Sequence, residues 1–247
     1  SALAFHAAHG LDHARHFLYP ARIAAVTAAE VWALARQVFD PARRVVGTLR
    51  LVAALVLGVA LVFQIVEKTV NNDMIAGQYF SYFTILTTII GIGVLGWGGV
   101  LGLTRVVDPV GYTVARMSVL TYAVVTAIVY NALLRGIPDE GFVVSTWPGE
   151  IMHVWIPIVM LLDWLLSPGR PALRWTALRI VVIFPLVWIG FTLVRGAFDG
   201  WYPYPFLEPS TGWLSVMAYV VGIAAFIVGL AALAIASSRG RRARSAS

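Results

Sequence analysis

The sequence predicts an all-α integral membrane protein: a six-transmembrane-helix bundle with an N-terminal amphipathic, interfacial helical segment. Three observations carry this. Of the 247 residues, 60% are hydrophobic and only 12% are charged, against about 45–50% and about 25% in soluble domains. The apolar residues gather into six stretches, 49–66, 80–103, 114–135, 150–167, 174–194 and 212–237, each near the roughly 20 residues that a bilayer core requires. The arginines crowd onto one side of those stretches. This composition excludes a disordered chain, a coiled coil and most soluble enzymes. The absence of cysteine excludes disulfides, zinc–thiolate sites and thiol nucleophiles.

Residues 1–47 are too interrupted to span. His6, His9, His13 and His16 fall on one face of a helix. Gly10 weakens that helix, so a surface or partner face is expected there and no metal site. Thr27-Ala-Ala-Glu30 is a capping-box pattern, which predicts an amphipathic helix over Val31 to Phe39 on the membrane surface or against the bundle. Asp40-Pro41 restarts the chain. No Met precedes Met74, so Ser1 reads as a trimmed or processed start, and no signal-peptide pattern is visible.

Residues 48–238 form the predicted transmembrane domain and 239–247 a basic tail. Twelve Lys and Arg side chains fall on one side of the six stretches: Arg43, Arg44, Arg50, Arg105, Arg116, Arg170, Arg174, Arg179, Arg239, Arg241, Arg242 and Arg244. Lys68, Arg135 and Arg195 are the three on the other. The bias predicts that both termini are cytoplasmic. It also accounts for the net charge of +6 without nucleic acid. Arg- and Ala-rich usage points to a bacterial plasma membrane. In the second stretch, Gly98-x-x-x-Gly102 permits close helix approach. Packing within the chain is the first reading and dimerisation the second, so a homo-oligomer stays open. No long internal repeat supports an inverted-repeat transporter.

Polar groups inside a bilayer are costly unless paired, so they are candidate functional residues. Thr84 and His153 each lie about four residues inside the second and fourth stretches, about 6 Å deep at 1.5 Å per residue. The two can share a layer. Asn131 and Arg135 reach that layer from the third stretch and Arg195 from the fifth. Pro157 lacks an N–H, so the carbonyl of His153 loses its usual donor and the helix should open near the histidine. A Thr hydroxyl with a His base permits nucleophilic catalysis, and Asn131, a Tyr or an Arg would then serve the oxyanion. Arg135 and Arg195 oppose the charge bias: they either snorkel to lipid phosphates or hold a carboxylate or phosphate head group. Asp163 is about 15 Å below His153 by helix rise, too far to join it, and is expected to pair with Arg174 or Arg179. The run Trp201-Tyr202-Pro203-Tyr204-Pro205-Phe206 reads as an interfacial aromatic belt or a stiff pocket lid.

Phe80-Ser81-Tyr82-Phe83-Thr84-Ile85-Leu86, His153-Val154-Trp155-Ile156-Pro157, Asp163-Trp164 and Arg195-Gly196 with the aromatic run after it resemble the bacterial Pr-six-Pr family of six-transmembrane proteins. The resemblance covers about residues 48–215. That family is similar to the androgen-induced membrane proteins of animals, threonine hydrolases that cleave fatty acid esters of hydroxy fatty acids. The resemblance implies Thr84 as nucleophile and His153 as its partner. Thr87-Thr88 stands where relatives often carry Ser-Asn, which removes one amide donor. The expected activity is therefore a lipid ester hydrolase acting on a membrane-borne acyl ester with a free carboxylate. Thr84 and His153 are catalytic in this reading, with Arg135 or Arg195 on the carboxylate. Asn131, Tyr82, Tyr202 and Tyr204 complete the substrate site, and no cofactor or metal is implied. A non-catalytic lipid-binding or scaffolding protein is the alternative, and an anion transporter a more distant one.

Overall fold

The computed structural model describes residues 24–38, 40–137 and 142–244. The four N-terminal histidines lie outside them. Two compact units divide between Asp40 and Pro41.

In the first unit, α1 (Ala28–Val38) is closed by the capping box. The Glu30 amide donates to the Thr27 hydroxyl at 3.2 Å, and the Thr27 amide donates to the Glu30 carboxylate at 2.8 Å. Each bond satisfies an amide that the helix start leaves without an internal partner.

The second unit holds six helices long and apolar enough to cross a membrane: α2 (Pro41–Val70), α3 (Phe83–Thr104), α4 (Val110–Leu134), α5 (Thr146–Leu166), α6 (Trp175–Asp199) and a seventh helix, α7 (Trp213–Arg244), whose spanning part is Trp213–Arg239. No strand occurs among the described residues. The chain is an all-α integral membrane protein, as its sequence predicts. The first spanning helix starts at Pro41 rather than at 49. Proline suits a first helical turn, and the arginines that hydropathy reads as a boundary are buried instead.

Helix α4 is the hub, packing against α3, α5, α6 and α7. Helices α2 and α3 approach most closely, and the second stretch's glycines make that possible. A Cβ on Gly102 would stand 2.7 Å from the Gly47 Cα, and one on Gly98 would overlap the Tyr112 hydroxyl. Gly98 and Gly102 therefore serve packing within the chain.

At the end of the bundle that holds Pro41 and Arg239, five charged side chains from the loop and three helices are buried together. Asp108, fully buried, takes Arg43 at 2.7 Å, Arg116 at 3.6 Å and Arg50 at 3.8 Å. Asp163 takes Arg116 at 2.6 Å and Arg50 at 3.0 Å. This corrects the expected pairing of Asp163 with Arg174 or Arg179, both of which are exposed. Spacing along the chain places Arg174 and Arg179 nearest. The fold instead brings α2 and α4 onto the face of α5 that carries Asp163. Arg43 also donates to the carbonyls of Arg105 and Pro168. Gly169, at φ +78°, leaves it room: a Cβ there would stand 2.0 Å from the Arg43 guanidinium. Both requirements favour glycine.

Candidate functional site

The opposite end of the bundle is fastened before it is functional. The turn ahead of α3 is held from two sides. Tyr79 donates to the Gln64 side chain on α2 at 2.8 Å. From α6, Trp188 donates to the Ser81 carbonyl at 2.9 Å and Arg195 to the Gly77 carbonyl at 2.6 Å. The start of α5 is held by Glu67, whose carboxylate accepts from the Ser145 amide and hydroxyl. These ties set Thr84 in the first turn of α3 and His153 in the second turn of α5.

Two π-helical segments meet at this level, Tyr130–Leu134 ending α4 and Ile151–Trp155 within α5. Such segments occur mostly as single wide turns, often at functional sites. The wide turn in α5 opens just ahead of Pro157, where the missing N–H weakens the helix. The carbonyl of His153 that Pro157 leaves without its usual donor accepts instead from the Asn131 side-chain amide at 3.3 Å. The His153 ring stacks on Tyr130 with centroids 3.8 Å apart and planes 15° apart.

The hydrogen bonds at the site have a defined direction. His153 Nδ1 lies 2.8 Å from the Gly149 carbonyl oxygen. A carbonyl only accepts, so Nδ1 carries the proton, and in the neutral ring Nε2 presents a lone pair. That lone pair faces the buried Thr84 hydroxyl at 3.4 Å. On its other side Thr84 meets the Tyr204 hydroxyl, whose oxygen also faces the amides of Phe83 and Thr84. These amides sit in the first turn of α3, where the helix offers no acceptor. Amide donors at one end and a carbonyl acceptor at the other orient the chain: amides to Tyr204, Tyr204 to Thr84, Thr84 to His153, His153 to Gly149. Burial pushes the Tyr204 phenol up to about 12, against the opposing pull of its Thr84 and amide contacts. It therefore stays a protonated donor at neutral pH.

Thr84 and Tyr204 line a cavity of about 110 Å³ between α3, α4, α6, α7 and the aromatic loop. Its walls are apolar apart from the hydroxyls of Thr84, Thr126, Tyr130 and Tyr204 and the Trp188 indole. Leu186 and Ala224, on its flank, are exposed on the apolar outer surface of the bundle. A chain of methylenes fits such a wall, and the exposed flank gives it a lateral way in.

The other expected site residues fall around this centre. Asn131 commits its amide to the carbonyls of Ala127 and His153, so it shapes the helix rather than facing the cavity. Arg135 pairs with Glu150 at 2.8 Å and bonds Asn131 at 2.7 Å. Arg195 pairs with Asp199 at 2.8 Å and lies over the Trp201 ring. Each arginine thus already holds a protein carboxylate, and neither lines the cavity. Tyr82 packs edge-on against Trp201 and Tyr204. Tyr202 lies on Gly196, where a Cβ would stand 2.2 Å from its ring. Sequence reasoning missed Tyr130, Gly149 and Thr126. A Tyr one residue before Asn131 was the available signal for the first, while the other two carry none.

No family model matches the chain, and no curated protein and no solved structure is similar to it.

Proposed function

We propose that this chain is a membrane-embedded ester hydrolase, with Thr84 as nucleophile and His153 as general base, acting on fatty acyl esters. The observation that carries the reading is the directed chain from Tyr204 through Thr84 and His153 to Gly149, set at the wall of an acyl-sized cavity. Thr84 Oγ1 attacks the ester carbonyl while its proton passes to His153 Nε2. Tyr204, relieved of Thr84, donates to the oxyanion. Collapse expels the alcohol, which takes the proton from His153. Water, deprotonated by the same nitrogen, then attacks the acyl–Thr84 ester and releases the fatty acid. The Gly149 carbonyl does what a carboxylate does in a Ser–His–Asp site: it fixes the tautomer and ring orientation, without adding charge. The resemblance to the Pr-six-Pr family and the androgen-induced hydrolases supports the same assignment. Arg135, half exposed beside its Glu150 partner, is the residue placed to exchange that partner for a substrate carboxylate. The arginine bias puts the site at the outer leaflet of a bacterial plasma membrane, with both termini cytoplasmic.

The test is labelling of the detergent-purified protein with a fluorophosphonate, followed by peptide mass spectrometry. Label is expected on Thr84 and absent from Thr84→Ala and His153→Ala. A wild-type protein that takes no label and turns over no acyl ester returns the chain to the lipid-binding alternative, which the apolar cavity also supports. Tyr204→Phe is expected to lower kcat on an acyl ester about 10²-fold, the scale of one lost oxyanion donor. An unchanged kcat would remove Tyr204 from the mechanism. Anion transport gains nothing here. The buried ion cluster and the Thr84 cavity have no lining residue in common.

A further inference from the structure

Helix α4 carries a run of buried hydroxyl side chains, and one of them behaves differently from the rest. Thr113, Ser118 and Thr121 each donate to the carbonyl four residues back, at 3.1, 3.0 and 2.9 Å. This is how a hydroxyl is satisfied on a helix among apolar neighbours. Thr126 is as buried, at 7% exposure, yet its Oγ1 has no hydrogen-bond partner among the described residues. It lines the cavity that Thr84 also lines. A buried hydroxyl without a partner is unfavourable, and here it faces the space that the proposed function assigns to an acyl chain.

We infer that Thr126 is a specificity-determining residue that accepts substrates whose acyl chain carries an oxygen substituent, a hydroxyl or oxo group, a few carbons from the reacting carbonyl. The position follows from the helix. Tyr130 stacks on His153 and so marks the reacting layer. Thr126 lies one turn deeper along α4, about 6 Å at 1.5 Å per residue. A plain methylene chain leaves the hydroxyl unmatched. An oxygen at that depth matches it, and the surrounding Val125, Val129 and Ile227 give such a substituent no competing polar partner.

The inference rests on the acyl reading of the cavity, so its test separates the two. Binding is measured in the Thr84→Ala protein, where turnover cannot interfere, by displacement of a fluorescent fatty acid. The competitors are methyl stearate and methyl hydroxystearates with the hydroxyl at successive carbons from the ester. One hydroxylated isomer is expected to bind about tenfold more tightly than methyl stearate, the effect of one hydrogen bond of about 1.4 kcal/mol. Adding Thr126→Val, which keeps the shape, should bring that ratio to about one, and Thr126→Ser should keep it. Equal binding of every isomer and methyl stearate, with both displacing the fluorophore, overturns the role of Thr126 and leaves the acyl cavity standing. A ratio that survives Thr126→Val overturns it as well. Displacement by neither class of ester overturns the acyl reading itself, and this inference with it.

Discussion

Thr84→Ala abolishes turnover of acyl esters, and His153→Ala lowers it by about 10²–10⁴-fold, the usual contribution of a positioned general base. The double variant is no slower than Thr84→Ala alone. Groups that act as one unit lose their joint effect with the first deletion, so the losses do not add. Thr84→Ser keeps the hydroxyl and retains measurable turnover. The geometry sets these expectations. Thr84 has one basic neighbour, Nε2 at 3.4 Å, and the Gly149 bond at 2.8 Å keeps that nitrogen unprotonated and aimed. Asparagine at 153 would test the aim separately, because an amide can neither take nor relay a proton. The measurement is kcat/KM on a fatty acyl ester in detergent, with circular dichroism to confirm that each variant is folded. Turnover by Thr84→Ala at the wild-type rate would sink the assignment of the nucleophile.

How much of this was legible in the sequence depends on what kind of distance was needed. Depth along a helix is set by 1.5 Å per residue, so the common layer of Thr84 and His153 could be read before any packing was known. The same holds for Pro157, whose missing N–H marks the turn where α5 widens. The Thr27–Glu30 box is local and reads directly. Neighbours across helices are another matter. Charge counting assigned Arg50 and Arg116 to membrane topology, and that bookkeeping discards pairing. It thus hid the cluster that both residues form with Asp108 and Asp163. Thr126 and Thr121 are equivalent by spacing and composition. Only the cavity beside one of them distinguishes a hydroxyl that bonds its own helix from one that does not. The Tyr130–His153 stack depends on two π segments whose registers match, and no residue pattern announces a π segment.

Asp108→Ala is expected to be the most destabilising single substitution outside the cavity. Three arginines, Arg43, Arg50 and Arg116, share two carboxylates, so the cluster already carries one excess positive charge. Removing Asp108 leaves three buried guanidinium groups with Asp163 alone. Breaking a buried pair by deleting one partner costs about 3–5 kcal/mol, because the remaining charge stays in a low-dielectric interior. Asp108 has no exposed surface through which water could enter to compensate. Its amide also donates to the Gly169 carbonyl at 3.0 Å, so the side chain and backbone together tie the α3–α4 loop to the loop after α5. Asp108→Asn keeps the shape and should lose nearly as much, which would assign the effect to charge. Arg43→Met in the Asp108→Ala background removes one of the stranded cations and should recover part of the loss, since apolar replacements of buried ions are often neutral or stabilising. Denaturant unfolding in detergent, followed by circular dichroism, measures all three. A Asp108→Ala protein within about 1 kcal/mol of wild type would mean that the cluster is wet in the membrane and behaves as surface ion pairs do. The clamp at that end of the bundle would then have to come from the Gly47–Gly102 approach alone.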